Sequence, residues 1–306
     1  MNPPAMTHQN PVRRQDPDNL MSLNIVTPGF RLGAGHLSDL SRDDLRKGLN
    51  NGGALLLRDF DTSVAEFSAL VERVSDRVSL DPARTFNGRV AQKVDAGTDA
   101  VGLHLENGNS PFNSSYAWFF CEEAPRQGSR TTVCDGTRVW RALPQSTRLR
   151  FMQSPIEYSR RVSEERWKTL VMHTLRCHSQ DEVSFSDLEA LCAGTDTGLI
   201  HHDNGDISYI YRTAAVYVTA GGDIAFANSI LGPSYNYETP VIRFSDNGEE
   251  IDRGLRRQLQ VVMESVTEEV PWQDGDILLV DNCRTMHGRR RIEDTRRTIY
   301  NALSDF

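Results

Sequence analysis

The sequence predicts a mainly β protein with flanking helices, built on a double-stranded β-helix, the jelly-roll core. Two observations predict this fold. Short apolar segments bounded by Gly, Asp and Asn recur along the 306-residue chain, with a few amphipathic helical segments between them, and short strands of this kind are typical of jelly rolls. In addition, three side chains that could bind one metal come from two distant segments, His104 and Glu106 from one and His287 from the other, as they would at the mouth of such a barrel.

The first half of the chain contains several recognisable elements. The apolar segment GGALLLRDF (52–60) predicts a core strand. Ser63 and Glu66 have the spacing of a capping box, which predicts a helix that continues to about Val74. YAWFFCEE and TTVCDG, which begin at Tyr116 and Thr131, are typical of strands, and GTRVWRALPQSTRLRFM is predicted to be helical on both sides of its proline.

The second half is interpreted in the same way. Ser186 and Glu189 predict a helix that ends near Cys192. An amphipathic helix that covers a sheet is predicted from apolar residues at helical spacing, namely Ile251, Leu255, Leu259, Val262, Met263 and Val266. Strands are predicted before this helix, in DISYIYRTAAVYVT, and after it, in DGDILLVD.

Composition indicates an ordinary globular protein with a substantial core, at 38% hydrophobic and 25% charged residues. The motifs described below span nearly the whole chain, so we expect one domain over residues 23–306. Residues 1–22 are rich in Pro, Asn, Asp and Gln and predict a flexible arm. A formal net charge of −8 argues against general affinity for nucleic acid. The sequence does not indicate an oligomeric state.

The five cysteines have neither CxxC spacing nor the density of a disulfide framework, which favours a reducing compartment. The first residues include no apolar stretch of the kind found in signal peptides, and no apolar run is long enough to span a membrane. We therefore expect a cytoplasmic protein without a membrane partner.

His104 and Glu106 are the most informative pair. Alternate residues of a strand face the same side, so both side chains could bind one metal while Leu105 packs into the opposite layer. His287, far along the chain, could complete the set. Two imidazoles and one carboxylate on one face of an octahedral ion are the ligands of non-haem Fe(II) oxygenases. A His-x-Glu pair also occurs as an ordinary surface or hydrogen-bonded couple, so the motifs around it must indicate whether it binds a metal.

Those surroundings form an ordered series of motifs. After Glu106 come Gly128-Ser129-Arg130-Thr131, then PWQDGDILLVDN, His287-Gly288-Arg289 and TRRTIYNAL. From about residue 52 to 306 this series resembles the Fe(II)/2-oxoglutarate-dependent oxygenases of the TauD/TfdA family, the taurine dioxygenase and clavaminate synthase-like group, whose core is a cupin-like jelly roll. The segment from Trp272 to Arg289 is similar to the branch of this family that acts in biosynthesis of amino-acid-derived natural products.

The resemblance implies roles for individual residues. His104, Glu106 and His287 match the metal triad, and Arg297 matches the arginine that pairs with the far carboxylate of 2-oxoglutarate. A planar guanidinium suits that role because it donates parallel hydrogen bonds and stays charged. Thr131 matches the threonine whose hydroxyl donates to the same carboxylate, although Ser129 stands where the family pattern has a second glycine. Asn301 stands where some relatives have a second basic residue, and it could still donate a hydrogen bond to 2-oxoglutarate.

The resemblance also implies the reaction. Fe(II), 2-oxoglutarate and O2 would serve to oxidise, and most simply to hydroxylate, an unactivated C–H bond of a small molecule, with release of succinate and CO2. Related halogenases have a small residue at the position of Glu106, so the glutamate indicates oxidation without halide. The implied substrate is a small amino-acid-like or natural-product intermediate, free or tethered to a carrier.

The candidate substrate residues are Asn107, Asn109, Phe112, Asn228 and Arg289, the last as a partner for an anionic substrate or a carrier phosphate. We expect the segments 108–116 and 167–205 to form the rim of the barrel, because loops on a rigid scaffold usually set specificity. His201 and His202 could contact the substrate from this rim or simply be exposed.

Other functions fit parts of the pattern. A cupin-type isomerase or hydrolase that uses Zn or Mn would keep the triad without needing Arg297 or Thr131. A non-catalytic metal-binding scaffold would have no evident reason to keep buried His and Glu residues together. An oxygenase that hydroxylates a protein is another alternative. It could be distinguished from a small-molecule oxygenase by whether free amino acids or peptides stimulate 2-oxoglutarate turnover.

Overall fold

The computed structural model describes residues 23–29, 35–79, 86–87, 90–94, 97–232 and 239–306. The predicted N-terminal arm, 1–22, lies outside them. Within the described chain, strands outnumber helices and come from all parts of the sequence. The predicted mainly β class with flanking helices is confirmed.

The strands are β1 (Leu23–Val26), β2 (Ala54–Leu57), β3 (Arg77–Ser79), β4 (Phe86–Asn87), β5 (Ala91–Lys93), β6 (Val101–His104), β7 (Tyr116–Glu123), β8 (Thr131–Asp135), β9 (Ile156–Val162), β10 (Thr197–His201), β11 (Ile207–Thr213), β12 (Val216–Val218), β13 (Ile224–Phe226), β14 (Val241–Phe244), β15 (Glu268–Glu269), β16 (Ile277–Asp281), β17 (Thr285–Arg289) and β18 (Thr298–Asp305). The α-helices are α1 (Arg42–Leu49), α2 (Val64–Val74), α3 (Gly136–Ala142), α4 (Gln145–Gln153), α5 (Glu164–Leu175), α6 (Phe185–Cys192) and α7 (Arg253–Ser265).

Two sheets form the jelly roll. The major sheet has the order β1-β2-β16-β7-β18-β5-β4, with β3 also paired to β18, and the minor sheet has the order β15-β8-β17-β6. Their facing sides share one apolar core, to which the major sheet contributes Phe119 and Leu278 and the minor sheet contributes Val133. This packing of two sheets around one core is the predicted double-stranded β-helix.

Helices cover the outer faces of the jelly roll. On the major sheet, α1 and α2 bury Leu45 and Phe67 against Leu55 and Trp118. On the minor sheet, α7 buries Leu259 in a cluster that also contains Met286 of β17. The apolar stripe predicted for α7 is therefore confirmed.

Local signals explain most helix ends. The predicted cap of α2 is confirmed, since the Ser63 hydroxyl accepts from the Glu66 amide. The predicted start of α6 is wrong by two residues, because Ser184 caps this helix and forms a capping box with Asp187. Helix α6 therefore begins at Phe185, whose ring packs edge-on against Trp167.

A third sheet, here called the cover sheet, has the order β10-β11-β9-β14. One of its faces packs on Leu103 and Leu105 of the jelly roll through Tyr158 and Tyr211. Farther along the same face, Ile207 packs with Trp167 of α5. The cover sheet, α5 and α6 therefore form a lobe beside the C-terminal end of β6.

The five cysteines all lie in the described residues and form no disulfide. Burial raises the pKa of the Cys121 and Cys134 thiols to about 12, so both stay protonated as small apolar core residues. Among the described helices, none combines the length and the apolar composition needed to cross a bilayer.

Candidate metal centre

His104, Glu106 and His287 lie together at one end of the minor sheet. Each offers one ligand atom, and the three atoms lie within 4.8 Å of one another. The Nε2 atom of His287 is 3.2 Å from Glu106 Oε2, and the two imidazole centroids are 4.5 Å apart. His287 and Glu106 are buried, whereas His104 is partly exposed. The three side chains thus form a compact set that is open on the His104 side.

Strand pairing brings the two histidines together. His104 of β6 and His287 of β17 are cross-strand partners in the antiparallel minor sheet. Leu105 turns away from the metal side and is buried under the cover sheet, as predicted. β6 approaches its neighbours closely: a Cβ on Gly288 would lie 2.6 Å from the Val101 carbonyl oxygen, and one on Gly102 would collide with the Leu231 carbonyl. Glycine at these two positions therefore permits the packing that aligns the ligands.

Hydrogen bonding determines which imidazole nitrogens face the metal position. His104 Nδ1 lies 2.8 Å from the Gly102 carbonyl oxygen, so Nδ1 carries the proton and donates, and Nε2 is available as a ligand. His287 also directs Nε2 toward Glu106, while its buried Nδ1 has no hydrogen-bond partner. The Phe119 ring packs edge-on against His287 at 5.0 Å. Two Nε2 atoms and one carboxylate oxygen form a donor set that suits Fe(II).

Asn282 fixes the backbone of Glu106. Its side-chain oxygen accepts from the Glu106 amide at 2.8 Å, and its side-chain nitrogen donates to the carbonyls of Glu106 and Ser114. Asn282 follows β16 and is fully buried. Asn282 is the last residue of the motif PWQDGDILLVDN, but the sequence indicates no role for it, because nothing local shows that its partners lie about 170 residues earlier.

Arg297 and Thr131 lie together between the two sheets. Arg297 donates to Thr131 Oγ1 at 3.2 Å, and the Trp272 indole donates to the same oxygen at 3.0 Å. The Thr131 hydroxyl therefore accepts twice, and its own hydrogen can be donated to another acceptor. Burial, with the nearby Arg289 as a second cause, lowers the pKa of Arg297 to about 10. A buried guanidinium beside another cation is a site that favours an anion.

Asn301 supports the same interpretation. It lies four residues after Arg297, in β18, on the strand face that Ile299 and Leu303 turn toward the core between the two sheets. Its side chain is fully buried, and neither its oxygen nor its nitrogen has a hydrogen-bond partner. The Nε atom of Arg297 is also buried without a partner. Buried polar atoms are costly unless hydrogen-bonded, so these atoms fit a site that holds a polar ligand such as 2-oxoglutarate.

Ser129 resolves the question raised by the missing second glycine. It adopts the left-handed conformation, with φ of 54°. Its hydroxyl accepts from the amides of Glu293 and Asp294 at 2.8 and 3.0 Å. Asp294 in turn pairs with Arg296 at 2.9 Å, and hydrogen bonds from Arg296 hold the pKa of Asp294 well below its usual range. Ser129 thus fixes the turn that leads into Arg297, and Arg296 is an ion-paired arginine on the surface.

The candidate substrate residues fall into separate places. Asn107, Asn109 and Phe112 line a cavity of about 100 Å³ between the turn after Glu106, the cover sheet, α5 and α6. The buried Asn228 does not line this cavity, and its side chain bonds to the backbone of Ala215 and Ile230. Arg289 lies between the sheets as the cross-strand partner of Thr131 and donates to the Gly97 and Asp99 carbonyls.

The histidine pair of the rim lies on the cover sheet. His201 ends β10 and stacks on Phe185 of α6 with centroids 4.7 Å apart, and it is exposed. His202 bonds to Ser208 at 2.8 Å. Neither residue lines the cavity.

Residues 20–303 match the model of the family described as Taurine catabolism dioxygenase TauD, TfdA family. The chain therefore belongs to the TauD/TfdA family, and it is a dioxygenase that depends on Fe(II) and 2-oxoglutarate. The predicted family and cofactors are confirmed.

Individual relatives are distant. The dapdiamide synthesis protein DdaC of Enterobacter agglomerans is 21% identical over 266 residues, which cover 81% of each chain. Among solved structures, PvcB of Pseudomonas aeruginosa has a TM-score of 0.57 at 13% identity, over 92% of this chain and 84% of that one. PvcB is also described as an Fe, alpha-ketoglutarate dependent oxygenase from an isonitrile synthetic pathway. AAD-2, solved with Mn(II) and N-oxalylglycine, has a TM-score of 0.53 at 12% identity, over 88% of this chain and 90% of that one.

Proposed function

We propose that His104, Glu106 and His287 bind Fe(II), that Arg297, Thr131 and Asn301 bind 2-oxoglutarate, and that the enzyme hydroxylates a C–H bond of a small amino-acid-like or natural-product intermediate. One observation carries the proposal. The triad and the buried polar atoms of Arg297 and Asn301 lie within the same jelly roll, and Phe119, the neighbour of Asn301 across β7 and β18, contacts His287.

The protein residues have distinct tasks. With both cofactors and O2 bound, the metal and 2-oxoglutarate supply the oxidation, in which substrate, 2-oxoglutarate and O2 give hydroxylated substrate, succinate and CO2. His104 and His287 present Nε2, and Glu106 presents a carboxylate oxygen, while Asn282 holds the Glu106 backbone in place. The apolar residues around Phe119 exclude water, which strengthens the pairing of Arg297 with an anion.

Arg289 is assigned to the cosubstrate and not to the substrate. It lies opposite Thr131 in the minor sheet, and its proximity lowers the pKa of Arg297. A bound carboxylate would interact favourably with both guanidinium groups, those of Arg289 and Arg297, near the Thr131 hydroxyl. Arg289 would thus supply the second positive charge that some relatives carry on the residue equivalent to Asn301.

The relatives support the substrate class. DdaC is described as a dapdiamide synthesis protein, and PvcB as an oxygenase of an isonitrile synthetic pathway. Both descriptions concern small natural products.

The proposal is tested by an anaerobic titration of the metal-free protein with Fe(II) and then with 2-oxoglutarate. The visible metal-to-ligand charge-transfer band should appear in the wild type and should be lost in His287→Ala. Arg297→Met should form the band only at about ten- to hundredfold higher 2-oxoglutarate, because it loses charge-assisted hydrogen bonds.

Arg296→Met is the matched control. Arg296 is the adjacent arginine, it is half exposed, and it pairs with Asp294. This variant should titrate like the wild type. If fully metallated wild-type protein gives no band, the proposed assignment of the cofactor ligands is wrong. Equal effects of the two arginine variants would refute the role of Arg297.

A further inference from the structure

Trp272 lies in the turn before β16, and its side chain is buried in the core between the two sheets. It packs there with Val133 and Val270. A buried indole N–H needs an acceptor, because a buried donor without a partner is costly. The acceptor is the Thr131 hydroxyl oxygen, at 3.0 Å. Trp272 therefore connects the turn before β16 to the start of β8.

The turn that carries Trp272 is held at several points. The Trp272 amide donates to the Val270 carbonyl at 2.9 Å, and the Val270 amide donates to the Thr131 carbonyl at 2.8 Å. Arg58 donates to the Pro271 carbonyl at 2.6 Å. These hydrogen bonds fix the backbone next to Trp272, so the indole has a defined position relative to β8.

The Thr131 hydroxyl oxygen accepts from two groups that can only donate. One is the Trp272 indole at 3.0 Å, and the other is the Arg297 guanidinium at 3.2 Å. Neither an indole N–H nor a guanidinium N–H can accept a hydrogen bond in return. A hydroxyl has one hydrogen and two acceptor lone pairs. Both lone pairs are therefore used, and the hydrogen must point in the one remaining direction.

The hydrogen of this hydroxyl is left for a ligand. Within the described part of the chain, the Thr131 hydroxyl makes the two hydrogen bonds given above and donates none, although Thr131 is buried. The Nε atom of Arg297 and both polar atoms of the Asn301 side chain are also buried without a partner. Buried polar groups are as a rule hydrogen-bonded, so the Thr131 hydrogen indicates an acceptor that a bound molecule supplies.

We propose that Trp272 is a positioning residue for the cosubstrate: it occupies one lone pair of the Thr131 oxygen and so turns the hydroxyl hydrogen toward the far carboxylate of 2-oxoglutarate. The inference rests on the proposed function, which assigns Thr131 and Arg297 to this cosubstrate. A carboxylate only accepts hydrogen bonds, and a hydroxyl that is already held as a donor binds it without losing further rotational freedom. Arg297 supplies the charge, and Trp272 supplies the direction of the second hydrogen bond.

The test is a double-mutant cycle in which calorimetry measures the dissociation constant of 2-oxoglutarate from the Mn(II)-loaded protein. Trp272→Phe keeps a ring in the core and removes the N–H, so it should weaken binding about three- to tenfold. Thr131→Val removes the hydroxyl and should weaken binding at least as much. In the Thr131→Val background, Trp272→Phe should change the dissociation constant by less than about twofold, because the hydroxyl through which Trp272 acts is gone.

Trp118→Phe is the matched control. Trp118 is also fully buried and donates its indole N–H to a hydroxyl, that of Ser304 at 2.9 Å, but it packs with Phe67 on the outer face of the major sheet. This variant should bind 2-oxoglutarate like the wild type. If Trp272→Phe does not fold, replacement of Trp272 by 3-benzothienylalanine, an isostere of tryptophan that lacks the N–H, should give the same loss of affinity.

Unchanged affinity after loss of the Trp272 N–H would overturn the proposal. So would an equal loss with and without the Thr131 hydroxyl, or an equal loss in Trp118→Phe. A weakened Thr131→Val beside an unaffected Trp272→Phe would refute the positioning role alone. If Thr131→Val binds 2-oxoglutarate as tightly as the wild type, or if the wild type does not bind it, the proposed cofactor assignment is wrong and this inference falls with it.

Discussion

At the scale of single residues, Ser129 shows how a serine can occupy a backbone conformation that favours glycine. The family pattern has glycine at this position, and the left-handed conformation with φ of 54° would suit glycine. The serine adopts the same conformation, and its buried hydroxyl accepts two amides of the turn before Arg297. Hydrogen bonding thus offsets the strain of a non-glycine residue.

This balance predicts an unusual order of stabilities. Ser129→Ala keeps the strained conformation and leaves two partly buried amides without an acceptor, so the free energy of unfolding should fall by about 1–3 kcal/mol. Ser129→Gly also loses the acceptor but relieves the strain, so it should be less destabilising by about 1 kcal/mol. Urea denaturation of both variants measures the difference. A glycine variant that is less stable than the alanine variant would contradict this account.

The residues that the sequence predicted as ligands are those whose chemistry is visible without a structure. His104, Glu106 and His287 come together as expected, and so do Arg297 and Thr131. Asn282 was missed for a physical reason, because it acts on the backbone of Glu106, which is 176 residues away.

At the scale of elements, an ion pair joins the end of β2 to the start of β16. Arg58 donates two hydrogen bonds to Asp276, at 3.0 and 2.6 Å, and a third to the Pro271 carbonyl. Asp276 is fully buried. The hydrogen bonds from Arg58 to Asp276 raise the pKa of Arg58 despite burial. The pair fixes neighbouring strands at the centre of the major sheet.

Removal of this arginine should therefore be severe. Arg58→Met leaves a buried carboxylate without its partner and should lower the free energy of unfolding by about 3–5 kcal/mol. Arg77→Met removes an exposed arginine that pairs with Asp305 and should cost about 0–1 kcal/mol. Chemical denaturation at neutral pH compares the two variants. Losses of similar size in the two variants would show that burial does not make the Arg58–Asp276 pair contribute more to stability than an exposed pair.

Element boundaries reveal what sequence patterns can and cannot determine. The sequence correctly predicted β2, β7 and β16 from apolar or strand-like runs, α2 from its capping residues and α7 from apolar residues at helical spacing, because each of these signals lies within the element itself. The start of α6 was ambiguous, since Ser184 with Asp187 and Ser186 with Glu189 have the same spacing. Tertiary packing of Phe185 on Trp167 accompanies the earlier start, and such contacts have no local signal.

At the scale of the whole molecule, the metal centre joins distant parts of the chain. Glu106 and His287 are separated by 181 residues, and β6 is an edge strand of the minor sheet. A metal bound to both would therefore link this edge strand to β17. Binding to the folded state alone stabilises a protein by mass action.

Mn(II) with 2-oxoglutarate should raise the melting temperature of the wild type. At a concentration of 100 times Kd the stabilisation is about 2.7 kcal/mol. Glu106→Ala should lose most of this shift, and excess EDTA should reverse it in the wild type. Differential scanning calorimetry measures both effects. A shift of the same size in Glu106→Ala would mean that the ion binds elsewhere.

The turn from Leu105 to Asn109 divides two compartments, with Glu106 on one side and the cavity on the other. This arrangement restricts how the enzyme can diverge. Substitutions in the turn would shift Glu106 itself, so few of them would preserve the cluster of His104, Glu106 and His287. Substitutions on the opposite wall, in β9 to β11, α5 or α6, leave these three side chains untouched. Sequence change should therefore be tolerated far more readily in the cover sheet and its helices than in this turn.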